Sequence, residues 1–229
     1  MHPSTVIGRE EELATIQRLY DSERSEFLAI YGRRRVGKSF LIEEALENKM
    51  SFMAVGLYQK IAKDKEEKVE SYRQKQLAHF YESLIEYGLS RETNPVPTNW
   101  MEALGLLKKL LSAKRTRRKV VFIDELPWLA GPQSAELIEE LGHFWNAWAR
   151  KRKDIFLIVC GSATSWMIDN VLRDYGGLYG RVTETIGLKP FTLAECERYW
   201  EKRGFHLSRY EVALTYMVIG GIPYYMDSI

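Results

Sequence analysis

Short, almost unbroken apolar runs alternate along the chain with longer stretches of helical period. Residues 26–31 (EFLAIY), 51–55 (SFMAV), 119–123 and 154–160 have the length and apolar density of strands buried on both faces, and 182–188 is expected as a last strand. Between them, Leu13, Ile16, Leu19 and Tyr20 recur at helical spacing over 9–20, and residues 39–46 are helix-compatible. Residues 59–90 are charged and helical, with Leu77, Phe80, Tyr81, Leu84 and Ile85 on one face. A turn-rich segment, 91–98, leads to helical patterns over 100–111 and 135–149. Strands that alternate with helices predict an α/β fold with a parallel sheet between two helical layers.

After Pro190 the pattern changes: residues 193–203 and 208–219 are helical and no further strand follows. The expected organisation is a core over 1–190, carrying a helical segment at about 59–112, and the start of a helical lid over 191–229. The text stops in helix-like residues, Tyr224 to Ile229, so the lid is expected to be truncated.

Composition narrows the class. The chain has 229 residues, 45% hydrophobic, 28% charged and 12% aromatic, which excludes a disordered chain. Thirty-three basic against 31 acidic residues leave a net charge of +2, so any polyanion partner has to be argued from local patches. Two cysteines, Cys160 and Cys196, lack partners at metal-ligand spacing. No apolar leader occurs in residues 1–13 and the run Ile155 to Cys160 is too short to span a bilayer, so a cytoplasmic location without a membrane partner is the default.

The candidate chemistry begins where the first strand ends. Gly32-Arg33-Arg34-Arg35-Val36-Gly37-Lys38-Ser39 fits G-x-x-x-x-G-K-[ST] between a strand and a helix, with Phe40 next in the helix. Two glycines let the backbone curl so that successive N–H groups and the helix N-terminus face phosphates. Lys38 would reach the β- and γ-phosphates, and the Ser39 hydroxyl would hold Mg2+. The pattern therefore implies ATP and Mg2+ as cofactors. Arg33, Arg34 and Arg35 either face phosphate or are solvated; the sequence leaves both open.

Val120-Val121-Phe122-Ile123-Asp124-Glu125 is an apolar strand that ends in two carboxylates. Asp124 would hold the metal and Glu125 would activate the attacking water; the alternative is an ordinary turn or helix cap. Ser162, in Gly161-Ser162-Ala163-Thr164-Ser165 after the fourth strand, is either a γ-phosphate sensor or a helix cap.

Together these residues resemble the archaeal-type AAA-like ATPases, which lie close to STAND signalling NTPases and origin-binding initiator ATPases. Val6-Ile7-Gly8-Arg9-Glu10-Glu11-Glu12 is similar to an element that packs near the adenine in that group. Gly180-Arg181, ahead of the last strand and Lys189-Pro190-Phe191, resembles the family's arginine there, whose role is phosphate sensing in catalysis or structure. Gly221-Ile222-Pro223 is similar to a lid element that brings Pro223 toward the nucleotide. The resemblance covers Val6 to about Tyr225 and implies an additional-strand P-loop NTPase with sheet order 5-1-4-3-2. Relatives usually continue into a winged-helix region and sometimes a nuclease-like domain.

The leading functional expectation is an ATPase whose nucleotide state acts as a conformational switch on a protein partner or a second copy. A nucleic-acid-associated module is the alternative, motivated by Lys114-Arg115-Thr116-Arg117-Arg118-Lys119 and Arg150-Lys151-Arg152-Lys153. Both runs also sit where helices end, and cations there complement the helix dipole without any ligand. A small-molecule kinase, which shares the loop, is the third class.

Overall fold

The computed structural model describes residues 6–58, 66–131, 134–173 and 178–228. The beginning of the expected helical segment, residues 59–65, and both chain termini lie outside the described residues.

Five parallel strands form one sheet: β1 (Glu26–Tyr31), β2 (Met50–Val55), β3 (Lys119–Asp124), β4 (Ile155–Gly161) and β5 (Glu184–Gly187). Their order is β2-β3-β4-β1-β5, the 5-1-4-3-2 arrangement read from the other edge. The central strands are buried along nearly their whole length, as their unbroken apolar text requires.

Side-chain alternation divides the core in two. Phe27, Ala29, Val121, Ile123, Leu157 and Val159 face one layer, built from α3 (Glu66–Glu86), α4 (Trp100–Ala113) and α6 (Ser134–His143). Leu28, Ile30, Val120, Phe122, Phe156 and Ile158 face the other, covered by α1 (Glu10–Asp21) and α2 (Lys38–Ala45). A third cluster, Phe191, Cys196, Tyr199, Trp200, Val212 and Met226, packs among α8 (Leu193–Lys202), α9 (Arg209–Ile219) and α10 (Pro223–Met226).

The structure departs from the sequence pattern in three places, each for a local reason. The helix expected over 135–149 ends as α6 at His143 and continues as a π turn (Phe144–Trp148) and a 3-10 turn (Ala149–Lys151). Adjacent Phe144 and Trp145 are both buried, Trp145 against Phe27 at 5.1 Å between ring centroids; the wider π turn puts both on the core side. The last strand is shorter than 182–188 because the Thr183 hydroxyl, not a backbone carbonyl, accepts from Phe27 N at its start. Two short helices, α5 (Leu126–Ala130) and α7 (Thr164–Met167), carry too few residues to show a period.

Candidate nucleotide site

Parallel strands end on one edge, and in open α/β sheets that edge is where ligands bind. Here β1 delivers the loop 32–37, β3 delivers Asp124 and β4 delivers Ser162 to the same edge. Asp124 follows Val120 and Phe122 in alternation, so its side chain points toward the α2 layer. There Ser39 Oγ donates to Asp124 Oδ2 at 2.5 Å.

Helix α2 starts at Lys38 after Gly37, whose φ is 91° and which provides no side-chain cap. Its first backbone bond is Leu41 N to Gly37 O, so the N–H groups of Lys38, Ser39 and Phe40 have no intrahelical acceptor. Such a terminus favours an anion through both its N–H groups and its dipole. Lys38 is buried, with Nζ donating to the carbonyls of Gly32 and Arg33 at 3.0 Å each, which holds the ammonium inside the loop.

Gly32 has φ 152°, and a Cβ on it would lie 2.2 Å from the Leu188 carbonyl oxygen, so the loop and the β5 exit meet at van der Waals limit. Arg35 holds a left-handed φ of 69°. Arg33, Arg34 and Arg35 are all exposed. Arg34 stacks on Trp128 at 4.9 Å and places Nε 3.4 Å from Ser162 Oγ. Arg35 instead turns to the C-terminal helix, donating to the Tyr225 hydroxyl at 2.9 Å and lying 4.6 Å from the Tyr224 ring centre.

Glu125 is left-handed, φ 46° and ψ 49°, which turns its side chain away from the strand line. Its Oε2 accepts from Ser162 Oγ at 2.9 Å and Ser162 N at 3.2 Å, while its own N–H donates to Asp124 Oδ1 at 2.8 Å. Ser162 thus binds Glu125, and the helix that follows has no side-chain cap, unlike the capping alternative expected from sequence. Lys38, Ser39 and Glu125 line one cavity of about 310 Å³ with Arg34, Phe40 and Trp128.

A second cavity of about 320 Å³ adjoins the loop, lined by Arg9, Val36, Phe40, Phe191, Pro223 and Tyr224 among others. Arg9 closes its floor: it is buried, donates to the Lys189 carbonyl at 2.6 Å and lies 4.7 Å from the Phe191 ring centre. Burial pushes the Arg9 pKa down, opposed by Glu12 and Glu195. Gly8 does not line this cavity; with φ 67° and Glu195 Cγ 3.1 Å from where a Cβ would be, it lets α8 approach. Tyr199 and Arg203 also line it, both donating to the Asp227 carboxylate. These three residues carry no motif and were not legible in the sequence.

The oxygen donors fit magnesium. Ser39 and Asp124 offer a hydroxyl and a carboxylate at the mouth of an anion cradle, and no group of three or more His, Cys, Asp or Glu suited to a metal occurs among the described residues. A hard cation that keeps waters and takes phosphate oxygens needs no more than that from the protein. Cys160, beside Asp124 at the end of β4, is fully buried; burial first, then Asp124, drives its pKa well up, so it stays a neutral thiol.

Arg181 is not brought to this site. It precedes β5, at the strand-start end of the sheet, where Nε donates to Asn146 Oδ1 at 2.6 Å. The full length of β1, roughly 16 Å at 3.3 Å per residue, separates that end from the loop.

A family model described as an ATPase domain predominantly from Archaea matches residues 7–229. An uncharacterized protein of Methanocaldococcus jannaschii is 29% identical over 227 residues, covering 97% of this chain and 44% of that protein. Among solved structures, a Walker-type ATPase of Pyrococcus abyssi superimposes with TM-score 0.57 at 20% identity, over 96% of this chain and 65% of that one. The ORC1 protein of Aeropyrum pernix, solved in complex with DNA, gives 0.56 at 16% identity, over 88% and 50%. At those identities the two structures speak to the fold, and the chain spans less than two thirds of each relative.

Proposed function

Because the chain belongs to this family of archaeal ATPase domains, we propose that it binds ATP with Mg2+ and hydrolyses it, its nucleotide state setting the position of the residues after Pro190. The observation that supports this most is the uncapped start of α2 beside Lys38, Ser39, Asp124 and Glu125, all on one cavity wall or in direct contact with it.

The polyphosphate would lie on the N–H groups of Lys38, Ser39 and Phe40, with the Lys38 ammonium against its β- and γ-oxygens. Ser39 and Asp124 would hold Mg2+, which when bound neutralises charge on the β- and γ-phosphates. Glu125 would orient the attacking water and accept its proton; its left-handed backbone aims the carboxylate into the cavity, and Ser162 restrains it. The apolar cavity beside Val36 and Phe40 is of a size for the base, with Arg9 and Pro223 on its walls. Arg34, stacked on Trp128, stands where it could meet γ-phosphate charge.

Residues 191–229 would act as the lid, joined to the loop through Arg35, Tyr224 and Tyr225. A protein partner or a second copy would read the lid position.

Phosphate release measured without any acceptor tests the reaction and separates it from a kinase. Lys38→Ala should abolish nucleotide binding, whereas Glu125→Gln should keep binding and lower turnover at least about 100-fold, the scale of general-base loss. Turnover by Glu125→Gln equal to that of the parent would remove Glu125 from the chemistry. Turnover that appears only when an acceptor is added would replace the ATPase reading.

A further inference from the structure

The edge of the sheet opposite the phosphate loop carries charge that nothing above uses. The two basic runs divide there into structural and exposed cations. Arg118 is buried and donates to the carbonyls of Leu19, Ser22, Arg24 and Lys153. Lys119 and Arg152 both bind Asp154, and Lys114 Nζ donates to the Tyr87 carbonyl. These four therefore serve the fold, whereas Arg115, Arg117, Arg150, Lys151 and Lys153 are exposed.

The buried Arg118 also fixes where the exposed ones stand. By binding carbonyls of Arg24 and Lys153 at once, it gathers the segments that begin β1, β3 and β4 onto one rim. Arg24 and Arg181 also reach that rim, but Arg24 is paired with Glu26 and Arg181 donates to Asn146, so neither is counted among its available cations. Arg24, Arg150 and Arg181 line a cavity of about 250 Å³ with Ser25, Trp145 and Thr183. Two acidic side chains of this edge are already engaged: Glu26 with Arg24 at 2.8 Å, and Asp154 with Lys119 and Arg152. Glu23 is exposed beside Arg24 and reduces the local charge by one.

We propose that this rim is a binding surface for the phosphate backbone of a nucleic-acid duplex, carried by the exposed Arg115 and Arg117 before β3 and Arg150, Lys151 and Lys153 before β4. These five cations lie on two segments that enter the neighbouring strands β3 and β4, so they are spread along both segments rather than gathered on one oxyanion. A line of cations matches a polyanion, whose phosphates repeat along its length, better than a single phosphate. Trp145, which lines the cavity beside Arg150, is buried and offers no stacking platform there, whereas a duplex backbone presents its phosphates without unstacked bases. The surface is independent of the nucleotide site, and a complex here leaves the loop edge open.

Fluorescence anisotropy of the chain with a labelled mixed-sequence DNA duplex, and with an RNA duplex of the same length, tests the proposal between 50 and 200 mM salt. Binding should weaken with a log–log salt slope of about −3 to −4, the counterion release expected for roughly four phosphate contacts. The charge reversals Arg150→Glu and Arg117→Glu, both on exposed side chains, should each weaken binding about tenfold or more without shifting the melting temperature. Equal binding of DNA and RNA duplexes supports backbone contact as such, and a preference for one identifies the source. Lys38→Ala should bind the duplex like the parent. No binding at 50 mM salt, affinity unmoved by both reversals, or binding lost with Lys38→Ala would each overturn the proposal.

Discussion

Gly32 shows how tightly a single residue constrains this loop. Its φ of 152° and the 2.2 Å between a would-be Cβ and the Leu188 carbonyl mean that Gly32→Ala must push the loop off the β5 exit. Strain of that kind costs about 1–3 kcal/mol, so the variant should melt lower and bind ATP at least tenfold more weakly, both readable by calorimetry. Asp154 constrains the opposite edge. Hydrogen bonding to Arg152, helped by Lys119, outweighs its burial and holds its pKa down to about 2, against 3.8 for the free side chain. Because the folded pKa is the lower one, this carboxylate stabilises the fold above pH 3.8, and that share is lost as the pH falls through about 2. The urea midpoint of Asp154→Asn should therefore vary less between pH 5 and pH 2 than that of the parent. An equal acid dependence would contradict the pairing. Glu125, Ser162 and Arg34 illustrate what residue types alone leave open: each had two readings, and only the observed contacts distinguish which groups meet.

At the scale of elements, the helices after Pro190 are held to the loop by a small number of contacts. Gly221 N-terminal to α10 has φ 64°, and a Cβ there would lie 2.2 Å from the Phe191 carbonyl, whose amide donates to Gly221 O. α10 then meets Arg35 through Tyr224 and Tyr225. Gly221→Ala should free α10 from the loop, so ATP affinity should fall several-fold while the far-ultraviolet spectrum of the core is retained. Loss of the whole fold would show instead that these helices are integral to it. Helix α8 carries a full capping box, Thr192 with Glu195, and α9 carries another, Ser208 with Glu211. Thr192→Ala should cost about 1 kcal/mol, measurable as a shift in the denaturation midpoint. Both caps are visible in the sequence as Thr or Ser followed three residues later by Glu, whereas the π turn at Phe144–Trp148 is not. A period of 3.6 predicts a continuous helix there, and only the need to bury two adjacent rings against the sheet breaks it.

For the whole molecule, ligand binding is the broadest test. If ATP binds the folded chain alone, ATP at 100 times its Kd should add about 2.7 kcal/mol to the unfolding free energy, and Lys38→Ala should gain nothing. Scanning calorimetry with and without nucleotide measures this directly. The molecule has two chemically distinct edges: the strand ends, which gather Lys38, Ser39, Asp124 and Glu125, and the strand starts, which gather Arg24, Arg150 and Arg181. Among the described residues no helix is long and apolar enough to cross a membrane.

The sequence by itself determined the fold class, five strands with their intervening helices, and the loop from Gly32 to Ser39, because each of these is encoded in local spacing: apolar runs, helical period, and glycines flanking Lys and Ser. Strand order came from resemblance, since local pattern does not say which strands pair, and the observed sheet has that order. Tertiary structure alone decided the rest. It set Ser39 against Asp124 across 85 positions, set Ser162 on Glu125, and placed Arg181 a sheet's length from the loop. It also divided the basic runs into cations that cap carbonyls and cations that face solvent. Contacts between residues far apart in sequence depend on which strands lie side by side and on how side chains alternate across them, and neither leaves a local trace.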